Sequence, residues 1–369
     1  MKKTYPIARP FIDEDDKRSV LSVLDTPYLS IGPKVVEFEK KFADFIGTEH
    51  ACAVNSGTAG LHLALITIGI GAGDEVITTP FSFVASSNAI LYVGAKPVFV
   101  DIEPVTFNID PEKIESKITS KTKAILVVHV FGQTADMGRI IKIARKYKLK
   151  IIEDACESIG AKYHGKKAGT FGNVAVFAFY PNKQMTTGEG GIIVTDNKRI
   201  HALCCSLRNQ GRAANMGWLD HKYLGYNYRL DEMSAALGVS QIKKINFLIN
   251  KKKEIAGWYN EFLKDSDVIN PPVIGPGRDH SWFVYVITVN KNRKQRDEII
   301  KNLDKAGVHA KTYFPSIHLF SFYRKSFNFK RGDFPVSEKI SNGSIALPFY
   351  IGISKDDVKY ICRELFKML

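Results

Sequence analysis

Through the first 240 residues, apolar positions come in short continuous runs separated by longer amphipathic or mixed segments. Ala51–Val54 is the first run, and EVITTPF the second. KPVFVDI, AILVVHV, KIIEDA, VAVFAF and GGIIVTD follow. Helix-like stretches lie between them: LHLALITIGI, VASSNAILYVG and the amphipathic ADMGRIIKIARKYK. β-Branched runs that are apolar throughout, joined by helices, predict a mostly parallel seven-stranded sheet covered on both faces.

The rhythm changes near Ile242. A helix is predicted over KKEIAGWYNEFLK, then a Pro/Gly-rich link, PPVIGPGRDH. WFVYVITV reads as a strand, and RDEIIKNLDKAG and VKYICRELFKML as helices. The pattern divides the chain into a large α/β domain with its N-terminal segment, residues 1–241, and a smaller C-terminal α/β domain, residues 242–369. No repeat or low-complexity tract interrupts it.

In such sheets, ligands bind beyond the carboxyl ends of the strands. Polar residues gather at those ends. Asn55, Ser56, Gly57 and Thr58 follow the first strand, and Ser82 and Phe83 follow the second. His129 ends the fourth, Asp154 ends the fifth, and Lys183 comes just after the sixth. Residues distant in sequence are thereby expected to share one pocket.

Composition narrows the class. The chain has 369 residues, 45% hydrophobic and 24% charged, as globular proteins do. No apolar run is long enough to span a membrane, and MKKTYPIARPFIDEDD lacks an apolar signal core. Five scattered cysteines, Cys52, Cys156, Cys204, Cys205 and Cys362, form neither a disulfide framework nor a compact zinc motif. A reducing, cytoplasmic setting is expected. The net charge of +14 favours an anionic partner, but it is spread along the chain and no nucleic-acid recognition motif accompanies it.

The stretch FAFYPNKQMTTGEGG carries the chemistry. Most lysines are solvated surface residues. Lys183 instead stands between an apolar strand and a glycine-rich turn that permits close approach of a ligand. Its amine is placed to form a Schiff base with an aldehyde cofactor and, once desolvated, to shuttle protons. Asp154 would pair with a protonated ring nitrogen; otherwise it is a helix cap or an ion-pair member. Gly57 and Thr58 open a helix and offer amides and a hydroxyl to a phosphate. This is not a Walker motif, because the Gly-Lys-Ser/Thr ending is missing. Phe83 would stack on a flat ring, although phenylalanine at a strand end is ordinarily core. Together these residues describe a pyridoxal phosphate site.

The sequence resembles the DegT/DnrJ/StrS family of aminotransferases acting on nucleotide-linked keto-sugars. The likeness runs from about Arg9 to the C-terminus through YLSIGPKVVEFE, NSGTAGLHLAL, GDEVITTPFSF, IIEDACESIGA, YPNKQMTTGEGG, RNQGR and LGYNYRLDEM. It implies the type I pyridoxal phosphate fold and a homodimer with shared active sites. By that resemblance Lys183 bonds the cofactor aldehyde and Asp154 faces the pyridine nitrogen. Phe83 stacks on the ring, and Gly57 and Thr58 bind phosphate. Asn227 reaches the partner subunit's phosphate, and Glu157 stands where the family has glutamine or histidine. Arg208, Arg229 and His318 are candidates for binding the nucleotide diphosphate; each is equally suited to a structural ion pair.

Two departures stand out. Relatives carry serine in FSF where this chain has Ala178, which removes one phosphate contact. Glu157 adds a carboxylate beside a charged cofactor. Lysine rather than histidine at position 183 points to transamination instead of deoxygenation. The form GYNYR resembles enzymes that aminate C4. The expected reaction is therefore amino transfer from an amino acid, glutamate foremost, to a nucleotide-linked 4-keto-6-deoxy sugar. A 3-keto sugar or a keto-cyclitol is the alternative. The product class would be amino sugars of lipopolysaccharide, other polysaccharides or antibiotics.

Overall fold

The computed structural model describes residues 3–212 and 220–369. All seven expected strands form one sheet: β1 (His50–Val54), β2 (Glu75–Thr78), β3 (Lys96–Phe99), β4 (Thr122–Val128), β5 (Lys150–Asp154), β6 (Val174–Ala178) and β7 (Gly191–Thr195). Their order is β1-β7-β6-β5-β4-β2-β3. Six of the strands share one direction, and β7 runs antiparallel to both of its neighbours. Its entry, Glu189–Gly190, thereby falls at the sheet edge where the parallel strands end. β5 is buried from Ile151 to Asp154, which explains why it reads as a continuous apolar run closed by acids.

Among the described residues, the helices α1 (Glu14–Leu24), α2 (Pro33–Ile46), α3 (Gly57–Thr67), α4 (Ala85–Tyr92), α5 (Met137–Lys146), α6 (Lys198–Arg208) and α7 (Glu232–Lys243) accompany the sheet, and α8 (Ile245–Leu263) leads from it into the C-terminal core. α3 is apolar all round and buried from Leu61 to Leu65, because it lies between the sheet and other helices. Phe38, Phe42, Phe177 and Phe179 pack edge-to-face on the other side of the sheet. Glu232, at the start of α7, is buried and accepts hydrogen bonds from the amides of Gly32, Lys34 and Val35. It so satisfies the open N-terminus of α2 with a charge of the favoured sign.

The C-terminal part carries its own three-stranded antiparallel sheet, Ile269–Asn270, Tyr285–Val289 and Ser344–Leu347. Its core includes Tyr259, Tyr285, Ile299, Leu303, Val358 and Leu365. Tyr5 from the N-terminal segment is buried in the same cluster.

The strand expected from Trp282 begins only at Tyr285. Trp282 takes φ 54°, and the amides of Ser281 and Phe283 donate to the carbonyls of Gly132 and Phe131 in the loop after β4. Gly132 has φ +103°, and a Cβ there would lie 2.8 Å from Trp282 N. The glycine lets the two backbones touch, and that contact carries Phe283 to the rim of the large sheet. Among the described residues, no helix is long and apolar enough to cross a membrane.

Candidate active site

The carboxyl ends of β1, β2, β4, β5 and β6 open into a cavity of about 630 Å³. Gly57, Thr58, Phe83, Asp154, Glu157 and Lys183 all line it. Four separate strand-end segments supply these six residues, as parallel topology requires. The C-terminal part closes the cavity with Phe283 and the run Thr312–Pro315.

Asp154 is 5% exposed and firmly held. Its Oδ2 accepts from Ser86 Oγ at 2.6 Å and its Oδ1 from the amide of Cys156 at 3.2 Å. Ser82 Oγ lies 2.8 Å from Ser86 Oγ. Since Ser86 gives its hydrogen to the carboxylate, Ser82 donates to Ser86. Such a relay fixes the carboxylate's orientation and stabilises its charge.

Lys183 Nζ is 3.7 Å from Glu157 Oε1 and 4.0 Å from the centre of the Phe283 ring. Glu157 also accepts from the amide of Phe131 at 2.9 Å. Burial raises the Glu157 carboxyl above its ordinary range, while the Lys183 ammonium and the Phe131 amide oppose that rise. The extra carboxylate is thus paired with the lysine itself.

At the opposite wall, Ser56 caps α3 through the amide of Ala59, leaving the first turn of the helix facing the cavity. A Cβ on Gly57 would lie 2.8 Å from Ala178 Cβ. The missing side chain keeps this approach open, and the alanine departure sits against it. Phe83 is 62% exposed, so its ring is a cavity wall rather than core. Asn182 Oδ1 is buried there with no protein partner. A carboxylate, an amine, an open helix N-terminus and an aromatic face around one cavity suit a flat, cationic ring that carries an aldehyde and a phosphate.

Other expected residues lie elsewhere. Arg208 is not at the cavity: it pairs with Glu39 and donates to the carbonyl of Ala53 at 2.6 Å. It serves as a half-buried tie between α6, α2 and β1. His318 is buried, with Nε2 3.0 Å from Glu338 Oε1 and its ring against Phe334. Burial holds its pKa below the ordinary value. Each side chain is engaged in an internal pair, the structural alternative that the sequence left open beside substrate binding. Arg229 donates to Asn209 Oδ1 at 3.1 Å, outside the cavity wall. Asn227 is exposed and likewise does not line the cavity of its own chain.

His129 also turns away. Its Nδ1 accepts from the amide of Ala135, so its Nε2 donates to Glu153 Oε2 at 2.9 Å. Glu153 is fully buried and accepts three further amides, those of Gly169, Phe171 and Gly172, each at 2.7 Å. Glu153→Ala strands all four donors and is expected to cost about 3–5 kcal/mol of stability. Urea unfolding measures it; a loss below about 1 kcal/mol would contradict this account.

Sequence reasoning overlooked Ser86, Phe283 and Tyr313. Ser86 lies one helical turn past Phe83, a spacing that could have drawn notice. Phe283 and Tyr313 carry no local signal, because only the approach of the C-terminal part brings them in.

The architecture is the type I pyridoxal phosphate-dependent aminotransferase fold. The model of the DegT/DnrJ/EryC1/StrS aminotransferase family matches residues 10–366, and the chain belongs to that family. It is 40% identical to an uncharacterized protein of Methanocaldococcus jannaschii, over 99% of this chain and 97% of that one. It is 38% identical to the GDP-perosamine synthase of Caulobacter vibrioides, with 98% of each chain covered. Among solved structures, PseC of Helicobacter pylori, an aminotransferase involved in the biosynthesis of pseudoaminic acid, superposes with a TM-score of 0.95. That match covers 99% of each chain at 31% identity.

Proposed function

We propose that this aminotransferase uses pyridoxal phosphate to move an amino group from an amino acid, L-glutamate foremost, to a nucleotide-linked 4-keto-6-deoxy sugar. The observation that carries the reading is a half-buried amine, Lys183, in one cavity with a carboxylate that Ser86 locks in place. Bound there, the cofactor supplies an aldehyde carbon and an electron-accepting ring.

The chain's own residues do the rest. Asp154 holds a proton on the ring nitrogen. The open turn at Gly57 and Thr58 binds the phosphate, and Phe83 covers the ring. Lys183 would hold the cofactor at its aldehyde carbon. Its amine, when free, would move a proton between the substrate carbon and the cofactor's C4′. Glu157 keeps that amine close, and the walls of Phe283, Tyr313 and Phe314 exclude water.

Relatives named for a GDP-linked amino sugar and for pseudoaminic acid biosynthesis support a nucleotide-sugar acceptor. The GYNYR form supports C4. The resemblance implies a homodimer, and Asn227, exposed and outside its own cavity, is free to serve the cavity of a second copy in that reading.

The test is amino transfer from L-glutamate to GDP-, UDP- and dTDP-linked 4-keto-6-deoxy sugars, followed by mass spectrometry of the product. The corresponding 4-amino-4,6-dideoxy sugar, its ketone replaced by an amine, is expected. Transfer only to 3-keto sugars or keto-cyclitols would replace this acceptor class. No transfer to any of them by protein loaded with cofactor would overturn the sugar reading.

A further inference from the structure

β1 stands at the end of the strand order, and side chains close its outer edge among the described residues. His201 Nε2 lies 3.1 Å from the Ala51 carbonyl. Glu39 accepts the Ala53 amide at 2.8 Å, and Arg208 donates to the Ala53 carbonyl at 2.6 Å. His201, Cys205 and Arg208 stand at i, i+4 and i+7 on α6, so all three share the helical face turned to β1. Cys205 is thereby held between an imidazole and a guanidinium.

Hydrogen-bonding capacity fixes the role of its sulfur. A carbonyl oxygen only accepts, so His201 Nε2 carries a hydrogen. Cys205 Sγ is 3.3 Å from that same nitrogen and shares the donor. The thiol of Cys52, on β1, is its other hydrogen-bonding neighbour. A sulfur that faces two donors and a guanidinium is favoured as the thiolate. The hydrogen bond from Cys52 lowers the Cys205 thiol most; burial opposes it, and His201 and Arg208 reinforce it. Glu39, from α2, acts against a thiolate but is paired with Arg208. The ring of His50 stacks on His201 at 4.8 Å. Burial raises the other four thiols, Cys52, Cys156, Cys204 and Cys362. Cys205 is partly exposed and open to a small oxidant, whereas Cys52 is buried behind it.

We propose that Cys205 is a peroxide-reactive modification site with Cys52 as its resolving thiol, the pair closing reversibly into a disulfide between α6 and β1. First the Cys205 thiolate attacks one oxygen of hydrogen peroxide. The O–O bond breaks, hydroxide leaves, and the sulfur is oxidised to a sulfenic acid. The Cys52 sulfur then attacks Cys205. The S–O bond breaks, the S–S bond forms, and the Cys52 proton leaves with the hydroxyl group as water. One peroxide is reduced for two thiols oxidised. Neither Cys52, His201 nor Cys205 lines the main cavity, so the inference does not rest on the proposed function.

The experiment treats full-length, reduced protein with hydrogen peroxide and dimedone, a trap for sulfenic acids, and maps the products by peptide mass spectrometry. Peroxide is expected to join the Cys52 and Cys205 peptides, and dithiothreitol to release them. Cys52→Ser should instead accumulate the dimedone adduct on Cys205. In Cys205→Ser, Cys52 should stay unmodified at the same dose. Trace iodoacetamide gives a readout that needs no variant. It should alkylate Cys205 at least about tenfold faster than Cys156, the other partly exposed cysteine. Equal labelling of the two, or first oxidation at another cysteine, would overturn the site. A dimedone adduct on Cys205 of the parent with no disulfide would overturn the resolving role of Cys52. If Cys52→Ser does not fold by circular dichroism, the parent's disulfide and its order of alkylation decide alone. An absence of amino transfer by the parent protein would sink the proposed function without touching this result.

Discussion

Lys183→Ala is expected to reduce amino transfer by at least about 10³-fold, because no other lysine lines the main cavity among the described residues. Glu157 sits 3.7 Å away and supplies no amine. Lys252 is committed to the Phe283 carbonyl behind the wall. The variant should fold, since Lys183 makes one ion pair and one ring contact and caps no element. It should also raise the Glu157 pKa further, because the ammonium that opposes the effect of burial is gone. Steady-state transfer with L-glutamate, read beside circular dichroism and a cofactor-binding titration, separates lost chemistry from lost structure. Turnover within tenfold of the parent would remove Lys183 from the mechanism.

Asp154→Ala is expected to lower kcat/KM by about 10² or more. The carboxylate is buried, and its hydrogen bonds from Ser86 and Cys156 orient it without neutralising it. A cation on the bound ring would face a fixed negative charge, and alanine removes that charge while leaving two donors unpaired. Asp154→Asn keeps the shape and loses the charge, so its rate should resemble that of the alanine variant. An asparagine variant close to the parent rate would show that shape alone matters and would refute the ring-nitrogen assignment. Ser86→Ala should fall between parent and Asp154→Asn in the same assay, because it loosens the carboxylate but leaves its charge.

Both side chains were legible without coordinates, and the reason is local. Asp154 ends a run buried on both faces, and Lys183 follows another such run, so each lies where a parallel strand delivers its ligand-facing residue. Gly57 and Thr58 were legible as the open start of a helix. Glu157 belongs to the same strand-end segment as Asp154. The misplacements have one cause. His129 also ends a strand, but the loop after β4 turns it back into a nest of amides around Glu153. Arg208 and His318 are of types that can bind a diphosphate, yet each finds a carboxylate partner from a distant element, Glu39 or Glu338. Partners separated by long loops leave no periodicity to read.

Hydrophobic spacing and strand-end chemistry by themselves determined the seven strands, the mostly parallel character of the sheet and the placing of Lys183 and Asp154 at the strand ends, because each depends on neighbours within a few residues. Tertiary structure alone decided the strand order and the antiparallel β7 that brings Gly190 to the cavity. It alone set the Ser82–Ser86–Asp154 relay and the placing of Phe283 and Lys252 around Lys183. Those features arise where segments far apart in the chain are forced together by burial. The energy of such contacts depends on three-dimensional neighbours that a linear pattern does not encode.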